Sequence, residues 1–212
     1  MYVCDRAAGE HSRILMYQVP ALYDGMPAVM MPNPVTSVGQ YLYQLILDTR
    51  MHGLWLQYRF GDSVLLDLDS HEEIVHLDSG SDGAIEIDAA GNLFMAEKDF
   101  WSEGAGVYRY DAPEYAPPVK VLSGELTASA DTMGQSFGAT VFGDQLIVAD
   151  HGRVLIYNDY HTLSSGRAAD DVYGQEGFDE FDYNPYWFPT ADARGRLWMM
   201  HAFFGKIGRA HV

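Results

Sequence analysis

The chain has 212 residues, with 13 Lys and Arg against 30 Asp and Glu and a formal charge of −17. Phosphate backbones and anionic membrane surfaces repel such a chain, which argues against nucleic-acid binding. Hydrophobic residues make up 48% and aromatics 13%, enough for a packed core, and no uninterrupted apolar run is long enough for a membrane-spanning helix. A lone Cys4 excludes an internal disulfide framework and a multi-cysteine metal site. No signal peptide is legible at the start.

The first apolar run is Met1-Tyr-Val-Cys-Asp5, followed by Arg13-Ile-Leu-Met-Tyr17. Then come Leu45-Ile-Leu47, a turn at Asp48-Thr-Arg-Met-His-Gly53, Leu54-Trp-Leu-Gln-Tyr58, Ser63-Val-Leu-Leu-Asp67 and Ile74-Val-His-Leu77. The order repeats: Ala84-Ile-Glu-Ile87, a turn at Asp88-Ala-Ala-Gly-Asn92, Leu93-Phe-Met-Ala-Glu97, Gly106-Val-Tyr-Arg-Tyr110 and Val119-Lys-Val-Leu122. A further round has Ala139-Thr-Val-Phe142, a turn at Phe142-Gly-Asp-Gln145, Leu146-Ile-Val-Ala-Asp150 and Arg153-Val-Leu-Ile-Tyr157. The last round holds Tyr186-Trp-Phe188, a turn at Asp192-Ala-Arg-Gly195 and Leu197-Trp-Met-Met-His201. In these turns Gly supplies positive φ and Asp caps its own backbone.

The second run of each round starts at residues 1, 54, 93, 146 and 197. The unit is a four-stranded antiparallel meander of about 40–50 residues, the size of a propeller blade. No segment sustains a helical period. The fold class is therefore all-β. Two architectures offer it, a β-propeller and a β-sandwich, and the repeated turn-strand-loop-strand order points to the propeller. The approximate units are 1–40, 41–82, 83–135, 136–182 and an incomplete 183–205.

The segments Gly83-Ala-Ile-Glu-Ile-Asp-Ala-Ala-Gly-Asn-Leu-Phe-Met-Ala-Glu97 and Gln145-Leu-Ile-Val-Ala-Asp-His-Gly-Arg-Val-Leu-Ile-Tyr157 resemble the NHL repeat, roughly G-I-A-V-D-x-x-G-N-L-Y-V-A-D-x-x-N-x-R-V-x-x-F. The stretch from Arg153 to Gln175 is similar to the linker between blades in a bacterial subgroup, and Arg13-Ile-Leu-Met-Tyr17 with Asp24-Gly-Met-Pro-Ala28 is a looser copy. The resemblance implies a propeller of six or more four-stranded blades, a protein, peptide or glycan ligand, and extracytoplasmic residence. The matching motifs are structural, so the resemblance names no activity. The chain departs from the repeat at Glu103-Gly-Ala-Gly106, at Tyr58-Arg-Phe-Gly61 and at Pro185-Tyr-Trp-Phe-Pro189.

Aligned on this repeat, Met1–Asp5 is the second strand of a blade and Leu197–His201 the second strand of another. The reading that follows is of about four blades from an incomplete ring, whose open edge favours association. Residues 206–212 read as sequencing-adapter read-through: AAG followed by ATCGGAAGAGCACACGTCTGA encodes Lys-Ile-Gly-Arg-Ala-His-Val and a stop. Recovery of the gene beyond Gly205 from source DNA tests this, and a gene that stops after Val212 refutes it.

Catalytic signatures are missing: no G-x-S-x-G, no H-E-x-x-H and no phosphate loop, since Gly134-Gln-Ser-Phe-Gly138 leads into a strand. Asp78-Ser-Gly-Ser-Asp-Gly-Ala-Ile-Glu-Ile-Asp88 partly matches a calcium loop, with Gly80 and Ala89 breaking the pattern. The strand-end residues Asp5, Tyr58, Glu97, Asp150 and His201 occupy equivalent places. In a propeller such residues ring the central axis, where Glu97, Asp150 and His201 offer a divalent cation such as calcium two carboxylates and an imidazole. Alternatively, each acid caps the loop that follows it. His11, His52, His71, His76, His151 and His161 follow no metal spacing, and Tyr183, Tyr186, Trp187 and Phe188 read as packing between blades or as a rim for a glycan or peptide.

Two functions fit. One is a monomeric binding scaffold for a protein, peptide or glycan, without cofactor or catalysis. The other is a metal-dependent, lactonase-like hydrolase or lyase with its site at the central channel.

Overall fold

The computed structural model describes residues 1–6, 12–17, 29–31, 41–59, 61–81, 84–97, 106–123, 133, 136–150, 153–173, 186–191, 196–201 and 206–211. Of Asp5, Arg13 and His201 the backbone alone is described. Short apolar runs separated by Gly- and Asp-bearing turns cannot build helices, and the described residues form strands, with one short 3-10 turn at Tyr160–Thr162.

The strands fall into five antiparallel sheets, each made of consecutive strands. The first holds β1 (Tyr2–Arg6), β2 (Ser12–Met16) and β3 (Val29–Met31). The second holds β4 (Tyr41–Asp48), β5 (Gly53–Arg59), β6 (Gly61–Asp67) and β7 (Glu73–Ser81). The third holds β8 (Ile85–Ile87), β9 (Leu93–Glu97), β10 (Gly106–Tyr110) and β11 (Val119–Ser123). The fourth holds β12 (Ser136–Phe142), β13 (Gln145–Asp150), β14 (Arg153–Asn158) and β15 (Asp171–Tyr173). The fifth holds β16 (Tyr186–Ala191), β17 (Arg196–His201) and β18 (Lys206–His211).

The chain divides into two compact units, residues 1–82 and 83–212. In the first, Ile14 of β2 packs with Leu42, Leu54, Leu56, Tyr58, Val64 and Leu66 of the second sheet. In the second, Phe94, Ala96, Val107 and Val121 of the third sheet meet Ala139, Leu146, Val148, Leu155 and Tyr157 of the fourth. Each fully buried side chain of this size contributes roughly 1.5–3 kcal/mol, so these face-to-face contacts, not hairpin propensity, hold neighbouring sheets together. Ile147, Val154 and Ile156 form a smaller cluster on the far face of the fourth sheet.

The turns joining first to second strands obey local chemistry. Asp48 Oδ1 accepts from the N–H of Arg50 and Met51, and Asp88 Oδ1 from that of Asn92. Gly91 and Gly143 take the expected positive φ, 90° and 57°. At the β4–β5 turn the left-handed residue is instead His52, φ 49°. Gly53 serves close approach: a β-carbon there would stand 2.6 Å from Leu65 Cδ1. The turn expected at Asp192–Gly195 lies outside the described residues.

Three first strands carry a bulge against the end of their neighbour. The register shifts between Leu42 and Gln44, between Ser136 and Gly138, and between Trp187 and Thr190. The last accommodates Pro189, which has no N–H to give a ladder. Each bulge sits beside one of the strand-end positions Tyr58, Asp150 and His201, where it alters the local twist.

Candidate functional site at the strand ends

Cross-strand register places the five candidates. Asp5 faces Arg13, Glu97 faces Gly106, Asp150 faces Arg153, and His201 faces Lys206. Tyr58 follows Gln57, which faces Ser63. Glu97, Asp150 and His201 thus close their ladders with the next strand, whereas Asp5 stands one pair inside the end of its ladder and Tyr58 one residue beyond it. The residues linking these second strands to the third, 7–11, 60, 98–105, 151–152 and 202–205, lie outside the described residues.

Asp150 is fully buried and so is Arg153. The arginine Nε and Nη2 both donate to Asp150 Oδ2 at 3.0 Å. Desolvating two charges is expensive, and the pair persists because each compensates the other. Sequence alone points to a loop cap or a metal ligand at this position and not to the cross-strand cation that the structure shows. The signal was present, since Asp5 and Arg13 occupy the same facing positions in the first sheet.

Glu97 has a different environment, because Gly106 takes the place of an arginine. Its carboxylate accepts a hydrogen bond from Tyr108. Burial, reinforced by the Glu97 charge, pushes the Tyr108 hydroxyl up to about 12 and raises Tyr110 for the same reasons. The Lys120 ammonium lies 5.4 Å from the centroid of the Tyr108 ring. The buried Ser136 hydroxyl reaches the carbonyls of Glu97 and Gly106, at 3.1 and 3.0 Å. With one proton to give, it ties the ends of β9 and β10 to the start of β12. Ser136 itself faces Asp150, so two candidate positions in adjacent sheets share one support.

Tyr58 is buried, and beside it Ser63 donates to Gln57, whose Nε2 donates to the Tyr58 carbonyl at 3.0 Å. Among the described residues, no three His, Cys, Asp or Glu side chains gather at metal-ligand spacing. Asp150, with its Oδ2 taken by a guanidinium, is a poor donor for a cation. The partial calcium loop begins in strand β7 with Asp78–Ser81, and Asp88 Oδ2 is engaged by Asn92 Nδ2 and by the Tyr160 hydroxyl, at 2.9 and 3.2 Å.

Other polar groups carry no motif in the sequence. Glu86 on β8 is largely buried, and its carboxylate has two long contacts, Ile87 N–H and Thr140 Oγ1, both at 3.4 Å. Burial dominates those weak bonds and pushes its carboxyl up to about 7. Tyr160 packs edge-on against Phe94, centroids 5.5 Å apart, and its hydroxyl is pushed up to about 12 by burial and by Asp88. His76 lies between Glu73 and Asp62, at 3.3 and 3.2 Å, and the Glu73 hydrogen bond leads in raising its pKa.

No family model matches this sequence, and no curated protein matches it. Solved structures do. A chain of the mitotic checkpoint complex aligns with 93% of this chain and 55% of its own, with TM-score 0.60 at 10% identity. The WD40 domain of Toxoplasma gondii coronin aligns with 93% and 49%, TM-score 0.60 at 13% identity. BamB from Moraxella catarrhalis aligns with 93% and 51%, TM-score 0.55 at 13% identity. The chain folds as blades of a β-propeller. It spans about half the length of these three propeller chains. The first strand of each four-stranded blade is then the innermost and the fourth the outermost.

Proposed function

We propose that this propeller is a binding scaffold for a protein, peptide or glycan ligand, of the NHL type, acting as a monomer and without covalent chemistry. The observation that carries the reading is the commitment of Asp150 to Arg153 inside the blade. A metal-dependent hydrolase or lyase needs strand-end carboxylates presented to a cation; here the one best defined is spent on holding β13 to β14. The fold adds support: the solved structures it resembles include a chain of the mitotic checkpoint complex and one of a nidogen/laminin complex, the latter at TM-score 0.56 and 14% identity. A rigid stack of blades carrying variable loops is a general platform for recognition.

The test has two arms. Peptide-display libraries and a glycan array are screened against the full chain, and selected ligands are measured for saturable binding in calcium and in EDTA. Lactone and ester turnover is measured in parallel with calcium and zinc. The scaffold reading expects a ligand whose affinity is indifferent to EDTA, and no turnover. Calcium- or zinc-dependent turnover that disappears in Asp150→Asn, with no ligand selected, would establish the enzyme instead.

A further inference from the structure

The outermost strand of the second blade, β7, is the longest strand described, nine residues from Glu73 to Ser81. It pairs with β6 on one side and, among the described residues, with no strand on the other. Its outer side is therefore a row of backbone donors and acceptors, which is a template for another strand. Ile74 is 42% exposed there, an apolar side chain of the kind that anchors an added strand. The outermost strands β3 and β11 also begin with exposed apolar residues, Val29 and Val119, but they are three and five residues long. A strand-addition site needs ladder length, and β7 is the longest of the three, its register with β6 shifting on either side of the regular stretch Val75–Leu77.

The charge on this edge is selective. Glu72, Glu73 and Asp78 are exposed along it, and Asp62 stands behind it on β6. His76 meets Glu73 and Asp62, leaving Glu72, just before the strand, and Asp78, within it, to set the sign. Acidic side chains guard an edge against a second copy of the same acidic strand. They do the opposite for a basic one, because complementary charge both steers the encounter and fixes the partner. With −17 overall, a second copy is repelled over the whole surface.

We infer that the outer edge of β7 accepts an extended segment of a partner protein in which basic residues alternate with apolar ones, paired to it by backbone hydrogen bonds. This rests on the scaffold reading and names the partner class for it. The geometry needs no groove: the ladder supplies affinity, Ile74 one anchor, and Glu72 and Asp78 the sign of charge.

The probe is a fluorescent nine-residue peptide of alternating Lys and Val, titrated with the full chain by anisotropy at low salt. We expect saturable binding, no binding of the Glu/Val counterpart, and loss on N-methylation of alternate peptide amides, which spares charge but breaks a ladder. Ile74→Lys combined with Asp78→Lys should weaken binding at least about tenfold; both residues are exposed, so the fold is kept. Undiminished binding by the N-methylated peptide, or by the double variant, overturns the inference. So does dimerisation of the chain through this edge, seen as a dimer in sedimentation that Ile74→Lys dissociates. If library-selected ligands bind and ignore Ile74→Lys, the scaffold stands and the edge inference falls. If neither the probe nor any library member binds, both fall.

Discussion

Asp150 and Arg153 show what a buried charge asks of its surroundings. Both side chains are shut away from water, and both guanidinium contacts fall on one carboxylate oxygen. Arg153→Leu removes the cation that faces the buried aspartate and should cost about 3–5 kcal/mol. Adding Asp150→Leu removes the buried carboxylate as well and should recover most of that loss. Urea unfolding of the three proteins at pH 7 measures it; a single variant within about 1 kcal/mol of wild type would mean the pair is solvated. Glu86 poses the opposite problem, a carboxyl with little to stabilise its charge. Its pKa rises from an ordinary 4.5 to about 7 in the folded chain, so the native state holds its proton more tightly than the unfolded one. Its contribution is thus complete below about pH 4.5, is lost as pH rises towards 7, and changes no further above that. Glu86→Gln should stabilise the protein at pH 8 by about 2 kcal/mol and be nearly neutral at pH 4.5. Denaturation at the two pH values checks it, and an equal effect at both would show that the gain is not electrostatic.

At the scale of the strand, backbone packing decides more than side-chain chemistry. A β-carbon on Gly106 would stand 2.4 Å from the carbonyl oxygen of Leu122, on the neighbouring strand β11. That oxygen belongs to a ladder and cannot swing aside as a side chain does. Gly106→Ala should therefore separate β10 from β11 and cost about 1–3 kcal/mol. Hydrogen exchange should quicken in β11 and leave β14 of the next blade unchanged. The sequence carried much of this level plainly. Runs such as Leu146–Asp150 and Arg153–Tyr157 announce strands by composition, and Asp88 and Gly91 announce the turn before β9. The three-residue outer strands β3 and β15 are too short to show a pattern. The pairings at the site are hidden for another reason. Ser136 reaches the carbonyl of Glu97 across 39 positions of sequence, and Tyr160 reaches Asp88 across 72. Periodicity reports which face a residue takes; it says nothing of what that face meets. The arginine beside Asp150 was only three residues away, and was missed because its meaning lies in cross-strand register.

For the molecule as a whole, charge is the property that composition alone dictates. Thirteen basic side chains can neutralise the charge of at most thirteen of thirty acids, so self-repulsion remains whatever the local geometry. The exposed pairs Arg109–Asp111 and Arg167–Asp170 contribute about 0–1 kcal/mol each, and salt weakens them too. Repulsion among the remaining carboxylates is the larger effect. Raising NaCl from about 20 to 300 mM, which shortens the screening length from roughly 20 to 6 Å, should therefore raise the melting temperature. The same change should weaken binding of the basic peptide at β7, because there the charges attract. The two responses have opposite signs and come from one charge distribution. A melting temperature that falls with salt would mean that the ion pairs outweigh the excess acid. Peptide affinity that holds steady would mean that the ladder and Ile74 recognise the partner without help from Glu72 and Asp78.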